Sequence, residues 1–334
     1  MLAELSNLRG VSGNEGPVRQ YLIDKMKGSG CDYTVDTMGN LLVQKNCANS
    51  KGSVMLSAHM DEVGLMVVSI NKQGLLSFKQ VGGIDSRVLI AKKIRVGYSG
   101  LQGVIGSKPI HLQNKGEQNK PFDEDALYID CGFKNRDEAE KYVKVGDYVT
   151  FDSECEPLGD GFYRGKAFDD RAGCLIILRL LLKDINYSFC AAFTVQEEVG
   201  TRGALTAAYS LEPHTALVIE TTAASDTPET EKEQITTSLG KGPAISFMDR
   251  TVMVKKEMRD ELVKAAERAG VPYQFRQFTG SGTEAGVISL SREGVQTAVL
   301  SVPCRYIHSP QGIVQEKDIQ DAEYLVESWL ESQQ

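Results

Sequence analysis

The stretch "SFCAAFTVQEEVGTRGA", residues 188–204, governs how the rest of the chain is read. An apolar run of strand type ends in two adjacent carboxylates, Glu197 and Glu198, and a glycine and a helix-like segment, "GALTAAYSL", follow. In open α/β sheets the carboxyl ends of strands are where sites gather, so acids at this place point to chemistry as well as to fold. Neighbours on an extended chain point to opposite sides, so the two glutamates are expected to meet different surroundings.

Moving outward, the same alternation recurs. Upstream, "DDRAGCLIILRLLLKDI" reads as a helix; downstream come strand "TALVIE", helix "KKEMRDELVKAAERAG" and strand "TAVLSVP". The last helix carries Ile319, Ala322, Val326, Trp329 and Leu330 at helical spacing. That pattern predicts an α/β sheet with helices on both faces. Near the start, "VSGNEGPVRQYLIDKMKG" reads as a Ser12–Glu15 capping box leading an amphipathic helix, and "GNLLVQK" and "SVMLSAHMD" read as strands. From about 66 to 159 the signal is mostly β, with a hairpin around Asn71–Gly74 and one short helix, "NRDEAEKYV". The expected organisation is a discontinuous catalytic domain, residues 1–65 and 160–334, with a β-rich domain inserted at 66–159. At 334 residues the chain exceeds the roughly 250–300 at which single cores stop growing, which also favours two domains.

A formal charge of −8 speaks against general affinity for nucleic acid or anionic lipid, which needs a basic surface. The N-terminal "MLAELSNLRG" lacks a long apolar segment, and the longest apolar run, "CLIILRLLL", is far short of the roughly 20 residues of a membrane span. Neither a nucleic-acid nor a membrane partner is expected. Seven scattered cysteines (31, 47, 131, 155, 174, 190 and 304) include no C-x-x-C pair, which suits reduced thiols in a cytoplasm. Cys174 and Cys190 read as small core residues.

Among four histidines, His59 and His308 sit at or just past the ends of apolar strands. Asp169 and Asp170 open a helix, Glu197 and Glu198 follow a strand, and Glu220 ends another. Each has a plainer reading: a satisfied histidine, a helix N-cap and its dipole partner in "DDR", a solvated turn. As a set, two imidazoles and several carboxylates with no thiolate suit a pair of borderline divalent ions, Zn, Co or Mn. Paired ions need a bridging carboxylate, terminal N/O ligands and a base to move a proton from water. "GSGTEAG", residues 280–286, lacks the Lys-Ser/Thr of a phosphate loop and reads as a tight turn near the site.

"LSAHMDEVGLMV", "GKAFDDRAGC", "QEEVGTRGA" and "CRYIHSP", in this order and spacing, resemble the M42 metallo-aminopeptidases, the glutamyl and tetrahedral (TET) aminopeptidase group. The resemblance extends through "GFKNRDEAEKYVKVGDYVTF" and "LGKGPAISFMDRT". It implies a mixed-sheet α/β/α catalytic domain of the dinuclear zinc peptidase type, and a PDZ-like insert that drives dimerisation. It also implies two divalent ions per subunit, zinc first, with His59 and Glu220 on one, His308 and Glu198 on the other, and Asp169 as the bridge. Glu197 is implied as general base and Asp61 as the acid that orients His59, with Asp170, Arg305 and Tyr306 in support. Short peptides are the implied substrates, and the implied assembly is a homo-oligomer, a tetrahedral dodecamer built from dimers. Glu220 and Glu284 stand where the family more often has Asp, which bears on denticity and on the substrate pocket. The rival readings are another dinuclear amidohydrolase such as a deacylase or carboxypeptidase, an endoglucanase, and a binding protein with a decayed site. A glycosidase would need an acid and base pair acting without metal, and the intact ligand set speaks against decay.

Overall fold

The computed structural model describes residues 1–46 and 54–333. Its centre is an eight-stranded mixed sheet in the order Asp32–Val35, Leu41–Lys45, Phe189–Thr194, Val54–His59, Thr215–Ala223, Gln296–Cys304, Ala244–Ile245, Gln274–Phe275. The four middle strands run parallel, and the strands beside them, Leu41–Lys45 and Ala244–Ile245, are antiparallel to their inner neighbours. Strand Phe189–Thr194 is buried at every position, which explains its unbroken apolar run: in a parallel sheet covered on both faces neither side meets water.

The covering layers follow from residue parity. Leu56, Leu217 and Leu300 point to one face, where helices Phe168–Leu182, Lys256–Ala269 and Glu316–Glu331 bury Leu175, Leu262 and Trp329. Met55, Val218 and Val299, one position away, point to the other, where Arg202–Leu211 and Ala285–Ser289 supply Ala204, Ala207 and Ile288. The result is an α/β/α sandwich. Every apolar residue singled out on the last helix is buried.

A second sheet closes into a barrel of six strands, Gly64–Ile70, Leu76–Val81, Tyr128–Asp130, Leu101–Gly106, Lys93–Val96 and Tyr148–Phe151. It has its own apolar cluster, including Val67, Phe78, Ile94, Ile129 and Val149. The expected hairpin forms between Gly64–Ile70 and Leu76–Val81, with Asn71 Oδ1 accepting from Gln73 N and Leu75 N. A small third sheet, Glu156–Leu158, Phe162–Gly165 and Gly312–Gln315, links the chain after the barrel to the segment following His308.

Two local expectations are corrected. Helix Gly16–Met26 has no side-chain cap: Ser12 Oγ donates instead to Asp61 Oδ2 (2.6 Å), and Glu15 Oε1 accepts from Gly13 N and Gln196 N. Long-range partners outcompete the local box because they leave buried donors satisfied. The barrel region also holds more than one helix, with Lys115–Gln118 beside Arg136–Ala139. The described cysteines are free, and Cys47 lies outside the described residues. Among the described residues no helix is long and apolar enough to cross a membrane.

Candidate metal centre

The site residues gather at the carboxyl edge of the parallel strands. His59 is the last residue of Val54–His59, and Glu220 lies near the end of the adjacent strand Thr215–Ala223. Asp169 opens helix Phe168–Leu182, and its peptide to Asp170 is cis. His308 follows strand Gln296–Cys304 in a turn where Tyr306 and His308 have φ of 58° and 56°. Arg305 pins that turn by pairing bidentately with Asp226 (2.7 and 2.8 Å), and Tyr306 stays exposed.

The Asp169 carboxylate is divided between the two imidazoles. Its Oδ1 lies 3.4 Å from His59 Nε2 and its Oδ2 3.2 Å from His308 Nε2. Glu198 Oε1 stands 3.2 Å from His308 Nε2, and Glu220 Oε2 stands 3.8 Å from His59 Nε2. Two groups that could hold an ion result, His59 with Asp169 and Glu220, and His308 with Asp169 and Glu198. Ligand atoms about 2.1 Å from a tetrahedral ion stand roughly 3.4 Å apart, so these spacings suit one.

Both imidazoles are turned the right way for this. His59 Nδ1 faces the main-chain oxygen of Asp61 at 3.1 Å, and His308 Nδ1 faces that of Gly83 at 2.9 Å. A carbonyl can only accept, so Nδ1 carries a proton, and a ring that has given up its Nε2 proton to an incoming ion offers that lone pair to the centre. The Asp61 carboxylate, at 3.5 Å from His59 Nδ1, is the more distant partner. It mainly anchors the acid pair, accepting from Glu197 N at Oδ1 (3.0 Å) and Glu198 N at Oδ2 (3.1 Å).

Glu197 and Glu198 lie in a turn rather than on the strand. Gln196 adopts a positive φ of 56°, so strand alternation no longer sets their directions. Glu198 reaches His308, while the Glu197 carboxylate has no hydrogen-bond or ion-pair partner among the described residues. Burial, opposed by His59 and reinforced by Glu198, Glu284 and Asp169, pushes Glu197 up to about 8. The "DDR" ambiguity is resolved by division: Asp170 caps Gly173 N (2.9 Å), leaving Asp169 for the imidazoles.

The residues present fit divalent ions. Buried Glu198 Oε1 and Glu220 Oε1 have no hydrogen bond, and burial drives the Glu220 carboxyl well above the usual range. Such crowding of acids is costly without a cation among them.

Several supporting residues carried no local signal. Lys166 Nζ lies 2.8 Å from both Glu62 oxygens, and fully buried Arg171 donates to Met60 O (2.8 Å) and Leu5 O (2.6 Å), clamping the chain just after His59. Glu284 does not face the crevice: it is buried under the sheet edge, accepting from Ser57 Oγ (2.8 Å) and Thr194 Oγ1, so it ties two site-bearing strands together.

The family model for M42 glutamyl aminopeptidase matches residues 39–325. The chain belongs to the M42 glutamyl aminopeptidase family. A lysyl aminopeptidase of Pyrococcus furiosus is 32% identical to this M42 aminopeptidase over 96% of the chain and 93% of its own length. The Pyrococcus horikoshii TET1 peptidase, described as assembling into a tetrahedron or a large octahedral shell, superposes with a TM-score of 0.87 at 31% identity, covering 98% of this chain and 97% of its own. A Thermotoga maritima structure described as an endoglucanase is 37% identical, TM-score 0.82, over 99% of both chains. With the family model and the lysyl relative both naming aminopeptidases, the endoglucanase label does not carry over. The M42 aminopeptidase is thus a peptide-bond hydrolase acting at N-termini.

Proposed function

We propose that this aminopeptidase trims short peptides with two divalent ions, one held by His59 and Glu220, the other by His308 and Glu198, with Asp169 shared. The observation that carries this reading is the divided Asp169 carboxylate, whose two oxygens address different imidazoles. When bound, the ions polarise the scissile carbonyl and provide a water that is nucleophilic at neutral pH. Glu197 takes the proton of the attacking water and returns it to the leaving amine; a carboxyl with no other partner among the described residues is free for both halves of that transfer. Asp61 holds the backbone of Glu197 and Glu198 in place, and the carbonyls of Asp61 and Gly83 fix the imidazole tautomers. Zinc is our first choice of ion, with cobalt and manganese suited to the same N/O donors.

The same proposal includes a catalytic domain of residues 1–65 and 160–334 and an insert at 66–159; separate apolar clusters in sandwich and barrel support it. A PDZ-like insert, which in the same proposal drives dimerisation, is supported in its fold by the barrel's antiparallel strands and its short helices. A tetrahedral dodecamer built from dimers is supported by the tetrahedron described for the TET1 relative, and work in the cytoplasm by the free described cysteines.

The test is hydrolysis of amino-acid p-nitroanilides and of carboxymethylcellulose, with and without chelator. Chelator-sensitive release of p-nitroaniline is expected. Glu197→Gln should keep its metal and lose about 100-fold or more in kcat; wild-type turnover in that variant would reject the base assignment.

A further inference from the structure

The Glu197 carboxylate has no hydrogen-bond or ion-pair partner among the described residues, so the main chain beneath it is what aims it. That main chain is held amide by amide. Val195 N donates to Asn40 Oδ1 (3.0 Å), Gln196 N to Glu15 Oε1 (3.2 Å), Glu197 N to Asp61 Oδ1 (3.0 Å) and Glu198 N to Asp61 Oδ2 (3.1 Å). The strand ends at Thr194, so the sheet ladder no longer pairs these amides. Main-chain donors inside a protein must find acceptors, and here four in succession find side chains from three distant segments.

The acceptors are themselves fixed. Asp61 Oδ2 also accepts from Ser12 Oγ (2.6 Å) and Glu15 Oε1 from Gly13 N (2.6 Å), while Asn40 Nδ2 donates to Asp36 Oδ2 (2.7 Å) and Gly203 O (2.9 Å). Ser12, Glu15, Asn40 and Asp61 are all buried. Asn40 grips both stems of the turn, because Gly203 N bonds back to Val195 O (3.0 Å), and beside Asn40 Oδ1 there is no room for a Cβ at residue 203. Glu15 serves the residue just before the base, Gln196, whose φ of 56° is a conformation that side-chain-bearing residues hold only when their surroundings impose it.

We propose that Glu15 and Asn40, with Ser12 acting through Asp61, are positioning residues of the hydrolysis: their side-chain oxygens form a cradle for the 195–198 amides and so set where the Glu197 carboxylate stands. This rests on Glu197 being the base, as proposed above. A base with no side-chain contact of its own goes where its backbone goes, and a misplacement of about 1 Å at a reacting group can cost about 100-fold in rate.

The experiment measures kcat, KM, bound metal and circular dichroism of the metal-loaded enzyme on the amino-acid p-nitroanilide it cleaves fastest, with Glu15→Ala, Glu15→Gln and Ser12→Ala each made in the wild-type and in the Glu197→Gln background. Glu15→Ala should keep its metal and its KM and lose about 10- to 100-fold in kcat. Glu15→Gln, whose amide oxygen can accept from the same two amides, should regain most of that loss. In the Glu197→Gln background no base is left to aim, so Glu15→Ala should cost less than about threefold, whereas a merely structural defect costs the same factor in both. Ser12→Ala, a milder change, should lose about 3- to 10-fold in kcat with the same dependence on Glu197, and it decides the matter if Glu15→Ala does not fold. Unchanged kcat in the folded variants, equal losses in both backgrounds, or a loss of bound metal that matches the loss of activity overturns the cradle's role. Wild-type turnover in Glu197→Gln alone fails the base reading instead, and the positioning role falls with it.

Discussion

In chelated, metal-free protein, His308 should still be imidazolium at pH 9. Burial alone would lower His308, but Asp169 and Glu198, each 3.2 Å from its Nε2, overcome it and hold the group up at about 11. His59, fully buried, is likewise held well above its usual value by Asp169 and Asp61 against the pull of burial. At pH 9 an ordinary imidazole is about 0.3% protonated, whereas one titrating near 11 is about 99% protonated. An ion entering the His308 group must displace that proton, so its apparent affinity should rise about tenfold per pH unit from pH 7 to 9, where an ordinary imidazole would add little. The sign for stability is the same: with the folded-state pKa raised, the contribution is complete below about pH 6.5 and lost as pH climbs toward 11, so metal-free protein should melt more easily in that range. Carbon-detected NMR of the imidazole Cε1 positions, assigned with His59→Gln and His308→Gln, reads protonation directly, and competition with a chromogenic chelator at pH 7, 8 and 9 reads affinity. A neutral-ring shift for His308 at pH 9, or an affinity flat over that range, would refute the reasoning.

Further outcomes follow from single contacts. Asp169→Asn removes the charge shared by both groups and should release both ions on dialysis, with activity down at least about 100-fold, as metal analysis and turnover would show. Asp61→Ala strands Ser12 Oγ, Glu197 N and Glu198 N and should cost about 3 kcal/mol in urea unfolding, while Asp61→Asn, which keeps an acceptor, should cost less. Trp329→Ala, in the fully buried seam of the last helix, should cost about 3–5 kcal/mol in guanidinium unfolding yet leave KM unchanged in protein that remains folded.

Of the site, the residues with a strand or helix end behind them were legible. His59, Glu198, Glu220 and His308 stand at or just past the end of a periodic segment and Asp169 at the start of one, and four short motifs kept their order. Glu197 and Glu198 show the limit of local reasoning: strand alternation predicted different surroundings for them, but the positive φ of Gln196 is what sets their course, and no pattern of residue types announces it. Ser12 was read as a cap because its sequence neighbours allow that, whereas its true partner, Asp61, is 49 residues away.

By itself, then, the sequence determined the alternation of strand and helix, the faces buried by residue parity and the types of ligand available, because these depend on periodicities of two to four residues along the chain. Which Asp169 oxygen meets which imidazole, which carbonyls orient the rings, and that Glu284 lies beneath the sheet rather than facing the crevice were decided only by tertiary structure. Apart from the contact between His59 and Asp61, two positions apart, those facts depend on distances between groups 90 to 227 positions apart, set by strand order, register and turn geometry, and short-range preference does not encode them.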